Sequence, residues 1–119
     1  MQPHYNLWLE KDGEVVLSLW RVRLLQAVAD TGSITAAAES LGVPYRVAWQ
    51  KIHEMEERLG EKLVTTQVGG AHGGGARLTP AADAYLDRFE RFAHDLERFV
   101  TDSFEANFLR PNPWIPQDL

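Results

Sequence analysis

Three adjoining stretches decide how this chain folds: Ser33-Ile-Thr-Ala-Ala-Ala-Glu-Ser-Leu-Gly42, Val43-Pro-Tyr-Arg-Val-Ala-Trp-Gln-Lys-Ile-His-Glu-Met-Glu56, and Gly69-Gly-Ala-His-Gly-Gly-Gly-Ala-Arg-Leu-Thr79. Ser33 is expected to cap a short helix over 34–40, because a hydroxyl there accepts from an open first-turn amide. Ala36, Ala37 and Ala38 let a second helix approach closely. Gly42 supplies the left-handed backbone that a tight turn between two helices needs. A longer helix opens with Pro44 at its first position, where no N–H is required. Ala48, Ile52, Met55 and Leu59 stand at i, i+4, i+7 and i+11, a buried stripe, and Gly60 stops the helix. A short Ala-rich helix, a glycine turn and a longer amphipathic helix make a helix-turn-helix pattern. The glycine-rich turn that follows is where a winged version carries its wing. Together they point to DNA binding.

Working outward, Lys62–Val68 has strand character, and Ala76–Thr79 returns as its partner. Five of the seven residues from 69 to 75 are glycine, which neither a packed strand nor a helix tolerates without loss. Thr79 caps a last helix opened by Pro80. Along that helix Tyr85, Phe89, Phe92, Leu96 and Phe99 recur at 4-3-4-3 spacing, with Leu86, Ala93 and Val100 beside them. The stripe is too wide and too aromatic for one short domain to hide. It is also shorter than the three to four heptads that certify a coiled coil. Upstream, a first helix is expected over 20–30, with Leu24, Leu25, Val28 and Ala29 as its apolar stripe and Gly32 as terminator. Before it, Tyr5–Glu10 and Glu14–Leu17 flank Lys11-Asp12-Gly13, a hairpin signal. The tail from Arg110 is Pro-rich and expected to be extended. The fold class is therefore α+β. An N-terminal β-hairpin (1–18) precedes a winged helix-turn-helix (19–79), a long dimerisation helix (80–108) and a Pro-rich tail (109–119).

A chain of 119 residues makes one domain with one modest core. It has no cysteine, so neither a disulfide framework nor a thiolate metal site is available. Met1-Gln-Pro-His-Tyr5 lacks the basic and apolar parts of a signal peptide, and no apolar run approaches the ~18 residues of a membrane span. A cytoplasmic protein without a membrane partner is expected. The net charge of −5 runs against a nucleic-acid binder, since phosphate contacts favour a basic surface. Its distribution softens that objection. Residues 1–43 carry three basic and five acidic side chains, and residues 80–119 carry four and eight. Residues 44–79 carry Arg46, Lys51, Arg58, Lys62 and Arg77 against four glutamates.

The major groove, about 12 Å wide, admits one helix whose first turns face base edges. In the helix from Pro44, Arg46 suits a bidentate pair with guanine and Gln50 suits adenine. Tyr45 or His53 suits phosphate or a thymine methyl. Trp49 stands between two roles, core packing against the first helix and framing of the reading surface. In the wing, glycines let backbone N–H groups approach phosphate, and His72 and Arg77 suit the minor groove or the phosphates. Consecutive glycine amides could equally cradle a small oxyanion. Catalysis has little support. His4, His53, His72 and His94 are scattered without metal-ligand spacing. Glu54, Glu56 and Glu57 read as an exposed face with Lys51 and Arg58, and Ser33, Ser40 and Thr79 read as caps. No enzyme and no cofactor are expected.

The stretch from Trp20 to Phe99, about two-thirds of the chain, resembles the N-terminal DNA-binding domain of the molybdate-dependent transcriptional regulators (ModE) and, more distantly, the LysR-type winged helix. The match is carried by Gly32-Ser33-Ile34, Ala37-Ala38, Tyr45-Arg46, Ala48-Trp49, Met55-Glu56 and the glycine string from Gly69 to Thr79. LysR-type wings are less glycine-rich. The resemblance implies that the helix from Pro44 is the recognition helix, with Tyr45, Arg46, Trp49 and Gln50 facing DNA and residues 69–77 forming the wing. Phosphates would then be held by Ser33 and Thr35 at the second helix and by His72, Gly73, Gly74 and Arg77, with His53 near the same surface. The resemblance also implies a homodimer through the first helix, the last helix and the N-terminal segment, with Leu24, Val28, Tyr85, Phe89, Phe92, Leu96 and Phe99 at the contact. The aromatic stripe independently calls for such a partner. Full-length members of that family bind molybdate in a separate C-terminal β-rich domain for which these residues leave no room, so molybdate sensing does not carry over and any effector is unknown. Pro44 stands where the family tends to have serine. The expected function is a standalone, sequence-specific regulator of transcription binding double-stranded DNA. The alternatives are a protein-interaction winged helix, which the acidic balance favours, and an oxyanion sensor built on the glycine loop.

Overall fold

A computed structural model of the chain describes residues 1–67 and 75–111. The first element is an antiparallel hairpin of β1 (Trp8–Lys11) and β2 (Glu14–Ser18). Asp12 and Gly13 at its turn both take positive φ, 53° and 80°, the primed geometry whose twist matches paired strands. Val16 and Leu17 of β2 turn into the core, while β1 stays largely on the surface.

Ser18 ends β2 and begins α1 (Leu19–Thr31), its Oγ accepting from the Arg21 amide at 3.2 Å. That cap explains why α1 starts one residue before the expected Trp20. Gly32, at φ 71°, closes the helix by donating to the Val28 carbonyl at 2.8 Å. The buried face is Arg21, Val22, Leu24, Leu25 and Val28, whereas Ala29, expected on the stripe, is exposed. Leu24 and Val28 were expected at the dimer contact, and both are fully buried. They pack in the chain's own core with Ile34, Ala37, Ala48, Ile52, Met55 and Leu63. A side chain already enclosed by its own protomer has no surface left for a second copy, so these two are not available for the expected dimer contact.

α2 (Ile34–Ser40) has the expected bounds, with Ser33 Oγ accepting from the Ala36 amide at 3.1 Å. α3 spans Tyr45–Leu59. Pro44 is not its first helical residue. With ψ at 148° it is the extended N-cap, and its carbonyl accepts from the Val47 and Ala48 amides. β3 (Val64–Gln67) and β4 (Gly75–Leu78) pair antiparallel from Val64↔Leu78 to Gln67↔Gly75. The Ala76 amide of β4 donates to the Gly32 carbonyl at 2.8 Å, which ties the wing to the α1–α2 turn. The wing tip lies outside the described residues, and with it the expectations placed on His72, Gly73 and Gly74.

α4 runs from Pro80 to Phe104 and ends in a π-helical turn, Glu105–Leu109, that stacks Phe108 on Phe104 at 5.4 Å. Thr79 Oγ1 accepts from the Ala82 amide and donates to the Lys62 carbonyl at 2.6 Å. The first turns of α4 pack on α1. Phe89 joins the core there, and Gln26 of α1 donates to Glu90 at 2.6 Å. Phe89, also expected at the dimer contact, is therefore internal to the protomer. Beyond it no α4 side chain is buried, and Phe92 and Phe99 are 48% and 69% exposed. A 25-residue helix is about 37 Å long. The protomer covers only the first part of it.

Candidate nucleic-acid interface

α3 has two faces because its apolar residues follow the helical period. Ala48, Ile52 and Met55 are buried, and the opposite side presents Tyr45, Arg46, Trp49 and Gln50 to solvent. These four occupy i, i+1, i+4 and i+5, one face of the first two turns. Trp49, which the sequence left between two roles, is 45% exposed, and its indole stacks on the His53 ring at 3.7 Å with planes 24° apart. His53 Nδ1 lies 2.8 Å from the Trp49 carbonyl. A carbonyl only accepts, so Nδ1 carries the hydrogen. This fixes the imidazole and, through the stack, the indole.

Beside that face lies an open cleft of about 380 Å³ between the start of α2, the start of α3 and the β3–β4 strands. Ser33, Thr35, Tyr45, Trp49, Thr66 and Gln67 line it, and among the described residues none of the lining is acidic. Clefts of similar size elsewhere carry carboxylates: Asp12, Glu14, Glu54 and Glu57 between the hairpin and α3, and Glu90 and Glu97 between α1 and α4. In a chain of net charge −5 this cleft is thus free of the carboxylates that line the other two. Thr66 and Gln67 were not expected there. The sequence shows only polar residues on a strand, and their place beside α3 depends on the pairing of β3 with β4. Arg77 is not brought to this cleft. It is exposed in a separate one with Thr65, Thr79 and Asp83.

The back of α3 is anchored by glutamates that the sequence placed on an exposed face. Glu57 is exposed, but Glu54 and Glu56 are not. The Glu56 carboxylate accepts from the amides of Leu63 (2.8 Å) and Val64 (3.2 Å), with Lys62 at 3.8 Å, and so fixes the entry to β3. Glu54 accepts from Arg21 at 3.0 Å, with Lys51 at 3.6 Å and Arg58 at 3.8 Å. Arg21 is itself 8% exposed, a buried cation that the α1 sequence did not reveal. Burial pushes the Glu54 carboxyl up. The hydrogen bond from Arg21 and the charges of Lys51, Arg21 and Arg58 together outweigh it and hold the pKa below the usual glutamate value. A carboxylate with a lowered folded pKa stabilises the fold above its unfolded pKa, and that contribution disappears as pH falls through the folded value. Glu54→Gln should therefore unfold at lower urea than the parent at pH 7, with the gap closing in acid. A gap independent of pH would remove the charge from the explanation.

Among the described residues no group of three or more metal-ligating side chains occurs, and no helix is long and apolar enough to cross a membrane. The capped short helix, the helix with its exposed polar and aromatic face, and the β3–β4 hairpin docked beside it define a winged helix-turn-helix protein. The model of the bacterial regulatory helix-turn-helix protein, lysR family, matches residues 19–83, and the chain belongs to that family. It is 48% identical over 87 residues to the molybdenum-pterin-binding protein MopB of Rhodobacter capsulatus, covering 73% of this chain and 32% of that protein. It is 32% identical over 93 residues to the DNA-binding transcriptional dual regulator ModE of Escherichia coli (strain K12), covering 78% of this chain and 36% of that protein. The chain spans about a third of the length of these curated relatives. A crystal structure of the CbnR DBD–DNA complex is similar at a TM-score of 0.57 and 27% identity, covering 76% of this chain and 98% of that one.

Proposed function

We propose that this chain binds double-stranded DNA as a homodimer and regulates transcription in the cytoplasm, without catalytic activity or cofactor. The observation that carries it is the exposed Tyr45–Arg46–Trp49–Gln50 face set beside a carboxylate-free, hydroxyl-rich cleft. α3 enters the major groove, where Arg46 and Gln50 meet base edges. Ser33, Thr35, Thr66 and Gln67 hold the sugar–phosphate backbone in the cleft with neutral hydrogen bonds. The wing, with Arg77, takes the flanking phosphates. A two-fold dimer gives a palindromic operator with half-sites about 34 Å apart, or a multiple of that. The similarity to a ModE described as a DNA-binding regulator and to a domain solved on DNA supports this assignment.

Selection of bound duplexes from random fragments, followed by affinity measured across salt, tests it. Arg77 from each protomer would neutralise about two phosphates in all, giving a log–log salt slope of roughly −2. Absence of binding at every salt concentration would instead favour a module that uses its acidic faces on a protein partner, which the eight carboxylates of residues 80–119 suit. Arg46→Ala should weaken operator binding by ~1–3 kcal/mol and relax discrimination at one position in each half-site. Unchanged affinity at every position would take Arg46 off the reading surface.

A further inference from the structure

The family model begins at Leu19 and leaves out the hairpin, yet the hairpin holds α3 directly. Arg58, near the end of α3, donates from Nη1 to the Val15 carbonyl at 2.8 Å and from Nε to the Glu14 carboxylate at 2.7 Å. Its guanidinium thus engages two groups of β2 in a fixed planar geometry, which an ammonium cannot reproduce. One turn earlier, Glu54 lies 3.8 Å from the same Arg58 and accepts from Arg21 of α1, whose other Nη donates to the Lys51 carbonyl at 3.4 Å. β2 is no loose flap, because Val16 and Leu17 are 5% and 3% exposed in the core. On another side of α3, Glu56 grips the amides of Leu63 and Val64 at the start of the wing.

We propose that the N-terminal hairpin is a brace that sets the angle of the recognition helix, with Arg58 as the positioning residue. This rests on the DNA-binding function proposed above. Arg46 and Arg58 are separated by about 18 Å of helix, so a 10° tilt pivoting at Arg58 moves Arg46 by ~3 Å. Hydrogen bonds to base edges tolerate only a few tenths of an ångström. Contacts to phosphate through flexible side chains absorb far more. Loss of the brace therefore degrades discrimination between sequences before it degrades general affinity for duplex.

Arg58→Met keeps the aliphatic stem and removes the guanidinium. Its affinities for the best selected duplex and for a scrambled duplex are compared with the parent's at matched folded fraction. Hydrogen exchange of the Val47, Ala48 and Trp49 amides is followed without DNA. The selected duplex should lose roughly 10-fold or more, the scrambled one should change less than about 2-fold, and exchange at the three amides should accelerate. Arg58→Lys should restore little of the ratio. An unchanged ratio together with parent-like exchange overturns the brace, even where thermal stability falls. Should the parent bind neither duplex, the proposed function fails, and the exchange data alone still decide whether the hairpin holds α3.

Discussion

Replacing Leu24 with alanine should lower the free energy of unfolding by ~2–5 kcal/mol, a large part of the 5–15 kcal/mol that holds a domain of this size together. Leu24 is fully buried and shares its surroundings with α2, α3 and the strands. Removing three carbons leaves a void that the closely packed core around it cannot fully collapse into. Urea denaturation checks it, with the midpoint falling and the m-value unchanged. Stability and association are entangled in a dimer, so the comparison is run over a range of protein concentrations. A shift between parent and variant that is the same at every concentration assigns Leu24 to the core. A shift confined to dilute protein, with parent-like stability otherwise, would return Leu24 to the subunit contact.

Phe99→Glu should do the reverse, leaving the protomer folded and separating the proposed dimer. Phe99 is 69% exposed on the part of α4 that no other element of the protomer covers, and Phe92 and the half-buried Leu96 continue the same strip. A phenyl ring carries 150–250 Å² of surface, and a carboxylate in its place must be desolvated in each copy. Two-fold symmetry counts that cost twice. A monomer keeps one reading helix and loses the effective concentration that the second half-site provides. Affinity for a palindromic duplex should fall ~10²–10⁴-fold, while affinity for a single half-site barely changes. Sedimentation and binding to both duplexes measure this. A variant that remains dimeric moves the subunit contact elsewhere than α4.

The two variants also show what the sequence could and could not reveal. α2 has the expected bounds because its signals are local: a serine, seven residues and a leucine–glycine turn. The primed hairpin turn at Asp12–Gly13 was equally plain. Helical spacing identified Leu24, Phe89 and Phe99 as apolar without telling what each faces. One chain encloses the first two, and the third protrudes. Glu54 looked like a surface charge because its pairing with Arg21 spans 33 residues, which no local pattern records. The exposed face of α3 was legible from its own periodicity. The cleft beside it was not, since Thr66 and Gln67 arrive there only after two strands pair.

Thr79 ends the wing and caps α4 with one hydroxyl, and its amide donates to the Leu63 carbonyl at 2.9 Å. No free linker separates the DNA-facing unit from the helix proposed to pair two copies. The assembled pair then behaves as a caliper with stiff arms, its jaw spacing set by the α4 crossing and not by the operator. Inserting half a helical turn between half-sites would carry the second site round to the far side of the duplex, where a hinged dimer could follow and a caliper cannot.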